Sequence, residues 1–326
     1  MDRLERATPE YAMLWRRIAA LSLCLGAACA SAQETHDTIV RNHLRSKTSF
    51  ETLLHRAGNG DARSQFELGL AYDTGADVAQ DLAQAAYWYH RAADAGDSAA
   101  QTNYGLMLAQ GRGVERNDVE AVRWYMRATA QSYPPAQTNL GFMYASGRGV
   151  PLNYQQAVFW YRKAAEKDFA AAEVNLGFMY SQGFGVPADD AEAVRWYKRA
   201  ARQKFAAAED NLGYMYEHGR GVAQDEREAV RWFQRAAANG SLTAENNLAH
   251  AYENGIGVPR DYDTAAHWYG DAAARGLPEA QYNLGVLYQM GHGVPHDLAK
   301  AAEWFGRAAR QGFQAARMQL NLLHRG

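Results

Sequence analysis

Tryptophan recurs every 36 residues along this chain. Seven of its eight tryptophans share one register: Trp88, Trp124, Trp160, Trp196, Trp232, Trp268 and Trp304. A glycine pair keeps the same step, as GRGV at Gly111, Gly147 and Gly219, GFGV at Gly183, GIGV at Gly255 and GHGV at Gly291. A fixed period of this length marks an array of stacked supersecondary units, and every shorter motif has to be read inside it. Cut at that step, the chain gives seven complete units, 61–96 through 277–312, with no insertion or deletion, and a remainder at 313–326.

The period disposes of the most tempting local motif. A Gly-x-Gly can open a phosphate-cradling loop, but such a loop occurs once, after a strand and before a helix. Here it repeats six times beside tryptophan, with no strand before it and no Gly-Lys-Ser/Thr after it. The loop is architecture, and no nucleotide or other cofactor is expected.

Each unit reads as two helices. Ala136, Leu140, Met143 and Tyr144 form an apolar stripe at helical spacing, and so do Ala157, Trp160, Tyr161, Ala164 and Ala165. Gly147 and its equivalents stand just past the first helix, where a left-handed residue ends it cheaply. The residue entering the second helix is always Asp or Asn (Asp81, Asn117, Asn153, Asp189, Asp225, Asp261, Asp297), an N-cap. Five of these seven have Glu or Gln three residues on, which predicts a reciprocal capping box. The second loop glycine reads as less strict, because Asp77 replaces it in the first unit. A glycine also lies inside the first helix, at Gly69, Gly105, Gly141, Gly177, Gly213 and Gly285, at a cost of about 1 kcal/mol each relative to Ala. The sixth unit carries Ala249 there, so the constraint is size: another helix approaches closely.

This pattern resembles the Sel1-like repeat, a relative of the tetratricopeptide repeat. The resemblance rests on A-x-x-N-L-G-x-M-Y-x-x-G-x-G-V-x-x-(D/N)-x-x-x-A-V-x-W-Y-x-(K/R)-A-A, which the units at 133–168 and 169–204 follow throughout. Departures are few: Tyr104 for Leu, Leu108 for Tyr, Thr129 for Ala and Asp271 for the basic residue, with the first unit most divergent. The resemblance implies an all-α fold, a right-handed α-solenoid of helix-turn-helix repeats whose first helices line a concave binding face. Paired cysteines that staple each repeat in some relatives have no counterpart here.

The remaining segments complete the organisation. Residues 1–32 read as a signal peptide: Arg16 and Arg17 precede an apolar run from Ile18 to Ala30, and Ala30-Ser31-Ala32 suits cleavage before Gln33. Met1 and Met13 both serve as possible starts. Export to the periplasm or beyond the cell is expected, with no membrane span after cleavage. Cys24 and Cys29 both fall inside this segment, so the mature chain is held by packing alone. Residues 33–60 are a loose segment leading into a capping helix, and 313–326 are a C-terminal capping helix.

On the implied concave face two registers stand out. One holds Phe142, Phe178, Tyr214 and His250, with Leu70, Leu106 and Val286 at its ends. The other holds Asn139, Asn175, Asn211 and Asn247, with Asn103 and Asn283. Three residues apart, they share a helix face. The amides suit the backbone of an extended peptide and the aromatics its side chains. Equally, each Asn can bond a carbonyl of the adjacent helix, and the aromatics can belong to the core. The seven Trp and the Tyr or Phe after each read as core, whereas Arg91, Arg127, Lys163, Arg199, Arg235 and Arg307 read as a solvated outer face.

The expected function is that of an exported, non-enzymatic, monomeric scaffold for a protein or peptide partner. A net charge of −2 argues against nucleic acid. No catalytic residue is assigned: Ser-x-x-Lys, Gly-x-Ser-x-Gly and His-Glu-x-x-His do not occur. His218 and His250 lack the His-x-x-x-His spacing, so no metal is expected. Likeness to penicillin-binding or β-lactamase-like relatives leaves a cell-wall hydrolase as the alternative.

Overall fold

The computed structural model of the chain describes residues 50–76 and 78–323. Residues 1–32, read above as a signal peptide and holding both cysteines, the stretch to residue 49, Asp77 and residues 324–326 lie outside the described residues. Those described form sixteen helices and no strand. A second-type helix, α1 (Phe50–Gly58), comes first. Seven pairs follow: α2 (Ala62–Thr74) with α3 (Leu82–Asp94), α4 (Ser98–Gln110) with α5 (Asp118–Ala130), α6 (Pro134–Ser146) with α7 (Tyr154–Ala165), and α8 (Ala170–Gln182) with α9 (Asp190–Arg202). Then come α10 (Ala206–Glu217) with α11 (Glu226–Ala238), α12 (Leu242–Asn254) with α13 (Tyr262–Ala274), and α14 (Pro278–Met290) with α15 (Leu298–Arg310). A lone first-type helix, α16 (Gln314–Leu323), closes the series. The chain divides into two units after Ala188, so unit 1 holds α1 to α8 and unit 2 holds α9 to α16. Within each, a first helix packs most closely on the second helix of its own repeat and then on that of the repeat before.

Helix ends follow the sequence with one correction. Gly147 is left-handed (φ 66°) and its N–H reaches the carbonyl of Met143. All seven Asp or Asn caps accept from backbone N–H groups, as Asn117 Oδ1 does from Glu120 N at 3.0 Å. The reciprocal half of the capping box is not made. The N-cap N–H is already spent on a first-helix carbonyl nine residues back, Asn117 N on Leu108 O at 2.9 Å and Asn153 N on Tyr144 O at 2.9 Å. Glu120 and Glu228 pair instead with Arg123 and Arg231. That backbone bond ties the loop down and fixes where the second helix begins.

The core centres on the residue after each Trp. Tyr89, Tyr125, Tyr161, Tyr197, Phe233, Tyr269 and Phe305 are all buried, 2 % exposed at most. Their rings explain the helix-interior glycines. A Cβ on Gly141 would lie 2.7 Å from Tyr161 Cε1 and 3.2 Å from Ala157 O, so the close approach is made by a ring and the backbone beneath it. The Trp register itself is less buried than the pattern predicts. Trp88 and Trp124 are buried, but Trp160, Trp196, Trp232, Trp268 and Trp304 are half-buried, one face turned outwards. In three of these the basic residue three positions on covers that face: Arg235 and Arg307 sit 4.3 Å above Trp232 and Trp304, and Arg199 sits 4.7 Å above Trp196. Arg127 likewise sits 4.3 Å above the buried Trp124, whereas Lys163 lies over Phe159 instead and Trp268 is followed by Asp271. What reads as a solvated stripe is a row of cation–π lids, each contributing about 0.5–1 kcal/mol at such exposed sites. The indole N–H groups of Trp88, Trp124, Trp160, Trp196 and Trp232 are buried without an acceptor, contrary to the usual habit of a buried Trp.

Candidate functional site

The first helices of each unit carry both registers singled out in the sequence. In unit 1, Phe142 on α6 and Phe178 on α8 are half-buried, while Asn139 and Asn175 are buried. In unit 2, Tyr214 on α10 is half-buried and His250 on α12 is exposed, with Asn211 and Asn247 half-buried.

Three of the amides are engaged within the fold, each in its own way. Asn247 Nδ2 donates to Asp210 Oδ1 at 3.0 Å, joining α12 to α10, and Asn283 Nδ2 donates to Asn246 Oδ1 at 2.9 Å, joining α14 to α12. Asn211 Nδ2 turns back to Ala207 O on its own helix at 2.9 Å. The Nδ2 of Asn175 is buried and meets no acceptor. Burial pushes the Asp210 carboxyl up to about 6; bonds from Thr243 and Asn247 oppose the shift, and the like charge of Glu217 adds to it.

The aromatic register has a neighbour that the sequence reading did not anticipate. The rings of Phe142, Phe178 and Tyr214 each lie beside the middle residue of the glycine loop that follows their helix. Arg148 sits 5.8 Å from the Phe142 ring, Phe184 6.2 Å from Phe178, and Arg220 6.0 Å from Tyr214. That loop residue in turn grips the first residue of the preceding repeat's second helix. Arg148 forks onto both oxygens of Asp118, and Arg220 does the same to Asp190 at 3.0 and 2.7 Å. Phe184 stacks on Tyr154 (4.8 Å, 10°) and His292 on Tyr262 (4.4 Å, 26°). Although burial works against it, the bonds from Arg148 and Arg116 hold the Asp118 carboxyl below its ordinary value. Where the gripped position is Leu82, Arg112 turns to Asp73 instead.

The second loop glycine makes this grip possible, which corrects its reading as a loose position. Gly149 is left-handed (φ 67°), and a Cβ there would run into the backbone of Asp118 and Val119; Gly113, Gly185, Gly221, Gly257 and Gly293 are placed alike. The signal was present in the sequence as matched pairs 30 residues apart: Asp118 with Arg148, Tyr154 with Phe184, Asp190 with Arg220, Tyr262 with His292.

Seven consecutive segments, 62–97, 98–133, 134–169, 170–205, 206–241, 242–277 and 278–313, match the Sel1 repeat. The chain belongs to the Sel1 repeat family. Among solved structures it resembles a Sel1 repeat protein from Oxalobacter formigenes, at 32% identity and a TM-score of 0.65, over 93% of this chain and 90% of that one. It also resembles c5321, described as a protective antigen present in uropathogenic Escherichia coli strains displaying an SLR fold, at 35% identity and a TM-score of 0.67. That likeness covers 85% of this chain but only 59% of the antigen, so the chain spans well under two thirds of its length. No curated protein matches. Sel1 repeat solenoids serve in general as protein–protein interaction folds. Among the described residues of this Sel1 repeat chain, no helix is long and apolar enough to cross a membrane.

Proposed function

We propose that this Sel1 repeat chain is an exported, non-enzymatic scaffold that holds a protein or peptide partner on the exposed face of its first helices. The observation that carries the reading is a division of labour inside each helix pair. Loop residues such as Arg148 and Arg220, and the rings behind them, are spent on joining repeats. On the same first helices Ser146 on α6 and His250 on α12 are exposed, and the residues at their two registers vary from repeat to repeat. A rigid backbone with a variable face suits recognition by side-chain choice alone. Phe142, Phe178 and Tyr214 contribute the half of each ring left uncovered.

A photo-crosslinking residue placed singly at Ser146 or His250, and separately at the outer positions Arg195 or Arg231, tests the surface. In an envelope extract, the first two are expected to trap one common protein and the outer two nothing. Adducts from the outer positions alone would contradict the proposal. Export belongs to the same proposal and is supported by the sequence at Arg16 to Ala32. Recovered chain is expected to begin at Gln33; intact residues 1–32 on the recovered protein would refute that part.

A further inference from the structure

The register of Gln65, Gln101, Gln137 and Gln281 holds a carboxylate in the three repeats between: Glu173, Glu209 and Glu245. Two of the four Gln use both ends of the amide, while Gln65 and Gln137 leave Oε1 buried without a donor. Gln101 Nε2 donates to Ala93 O at 3.1 Å while its Oε1 accepts from Gln131 at 3.2 Å. Gln281 does the same with Ala273 O at 3.1 Å and Gln311 at 3.0 Å. Glu245 keeps one half of this arrangement, its Oε1 accepting from Arg275 Nη1 at 2.6 Å. Its Oε2 is buried and meets no donor. As a carboxylate it has no hydrogen to offer the carbonyl of Ala237, the counterpart of Ala93 and Ala273 eight residues back. Glu209 resolves the same substitution differently, with Arg235 on one oxygen at 2.9 Å and Asn239 on the other at 2.7 Å.

A second carboxylate stands in an amide's place nearby. Asp210 on α10 occupies the position that Asn246 fills on α12. Asn246 needs only its oxygen there, accepting from Asn283; Asp210 accepts from Asn247 at 3.0 Å and from Thr243 at 2.7 Å. The packing therefore requires an acceptor, not a charge, and the charge that Asp210 faces is that of Glu217 on its own helix.

We infer that Glu245 and Asp210 make the joint between the fifth and sixth repeats a pH-sensitive latch, which tightens when each carboxylate takes a proton from solvent. Protonated Glu245 supplies the donor that its Gln counterparts supply, and neutral Asp210 loses its repulsion with Glu217. Burial raises the Glu245 carboxyl, with Arg275 opposing and Asp271 on α13 adding to the shift; Asp210 rises to about 6 from burial and Glu217, against the bonds of Thr243 and Asn247. A carboxyl raised by folding binds its proton more tightly in the folded state. Its stabilisation is thus complete below the ordinary carboxylate value near 4 and is lost as pH rises through the raised one.

Urea unfolding midpoints of the full chain at pH 7.5 and pH 5.0 test the latch, in wild type and in the Glu245→Gln, Asp210→Asn double variant. Both replacements copy residues that other repeats already use. The double variant is expected to unfold at higher urea than wild type at pH 7.5, and the gain that wild type shows on acidification is expected to shrink in it. An unchanged pH difference between the two proteins would overturn the inference. A carboxyl NMR titration gives a second reading, since ordinary values for both groups would overturn it as well.

Discussion

Tyr161 carries a buried hydroxyl with no hydrogen-bond partner, and burial drives its ionisation far above the ordinary phenol range. The ring has to be there, because it fills the space left by Gly141, but the oxygen does not. Repeats five and seven already use Phe233 and Phe305 at this register. A buried unpaired polar group costs about 1–3 kcal/mol, so Tyr161→Phe should raise unfolding stability by about 1 kcal/mol. Urea denaturation checks it, and a loss of stability would mean that the hydroxyl has a partner in solution. Enlarging the facing position has the opposite sign. Gly141→Ala gains helix propensity but drives a Cβ into the Tyr161 ring, and overpacking of this kind costs about 1–3 kcal/mol. The sixth repeat, with Ala249 buried against Tyr269, should tolerate Ala249→Gly with only the propensity loss of about 1 kcal/mol.

Elements are joined by two kinds of turn, and each makes a distinct demand. The turn from second helix to next first helix needs a left-handed residue, met by Gly60, Gly96, Gly240, Gly276 and Gly312. Three repeats place Ser132, Asp168 and Lys204 there instead, at φ 57°, 55° and 58°. A left-handed conformation costs a side-chain-bearing residue about 1–2 kcal/mol, so Lys204→Gly should stabilise by up to about 1 kcal/mol once the added chain entropy is subtracted. Gly240→Ala should lose a similar amount, and the two thermal melts measured together check the turn. The other turn, the glycine loop, makes the joint with the preceding repeat. Arg148 and Asp118 touch through two bonds, so a double-mutant cycle with Arg148→Ala and Asp118→Ala should show coupling of about 0.5–3 kcal/mol. Coupling near zero would reduce the loop to a connector.

At the scale of the whole molecule, the repeat number, the helix pairs and their caps were legible in the sequence, because period, glycine and Asp/Asn positions report local backbone demands. Contacts that link one repeat to the next were legible only as paired variation. Asp118 reads as a first-turn acid and Arg148 as a loop cation until their 30-residue spacing is compared with that of Tyr154 and Phe184. Exposure of the Trp faces was hidden for a related reason: an apolar stripe says which side is buried, not whether a neighbouring Arg covers the rest, as Arg235 covers Trp232. Of the candidate positions, Phe142 and Tyr214 stand on the predicted first helices, and the loop cations Arg148 and Arg220 beside their rings were not foreseen.

Stacked repeats that hold one another through neighbour contacts should respond locally to a broken joint. Hydrogen exchange followed by mass spectrometry, on wild type and Arg148→Ala, measures that response along the whole chain. Faster exchange confined to peptides from 98–169, with 242–313 exchanging as in wild type, is the predicted result. Uniformly faster exchange from Phe50 to Leu323 would contradict it, and would show that the chain unfolds as one indivisible body.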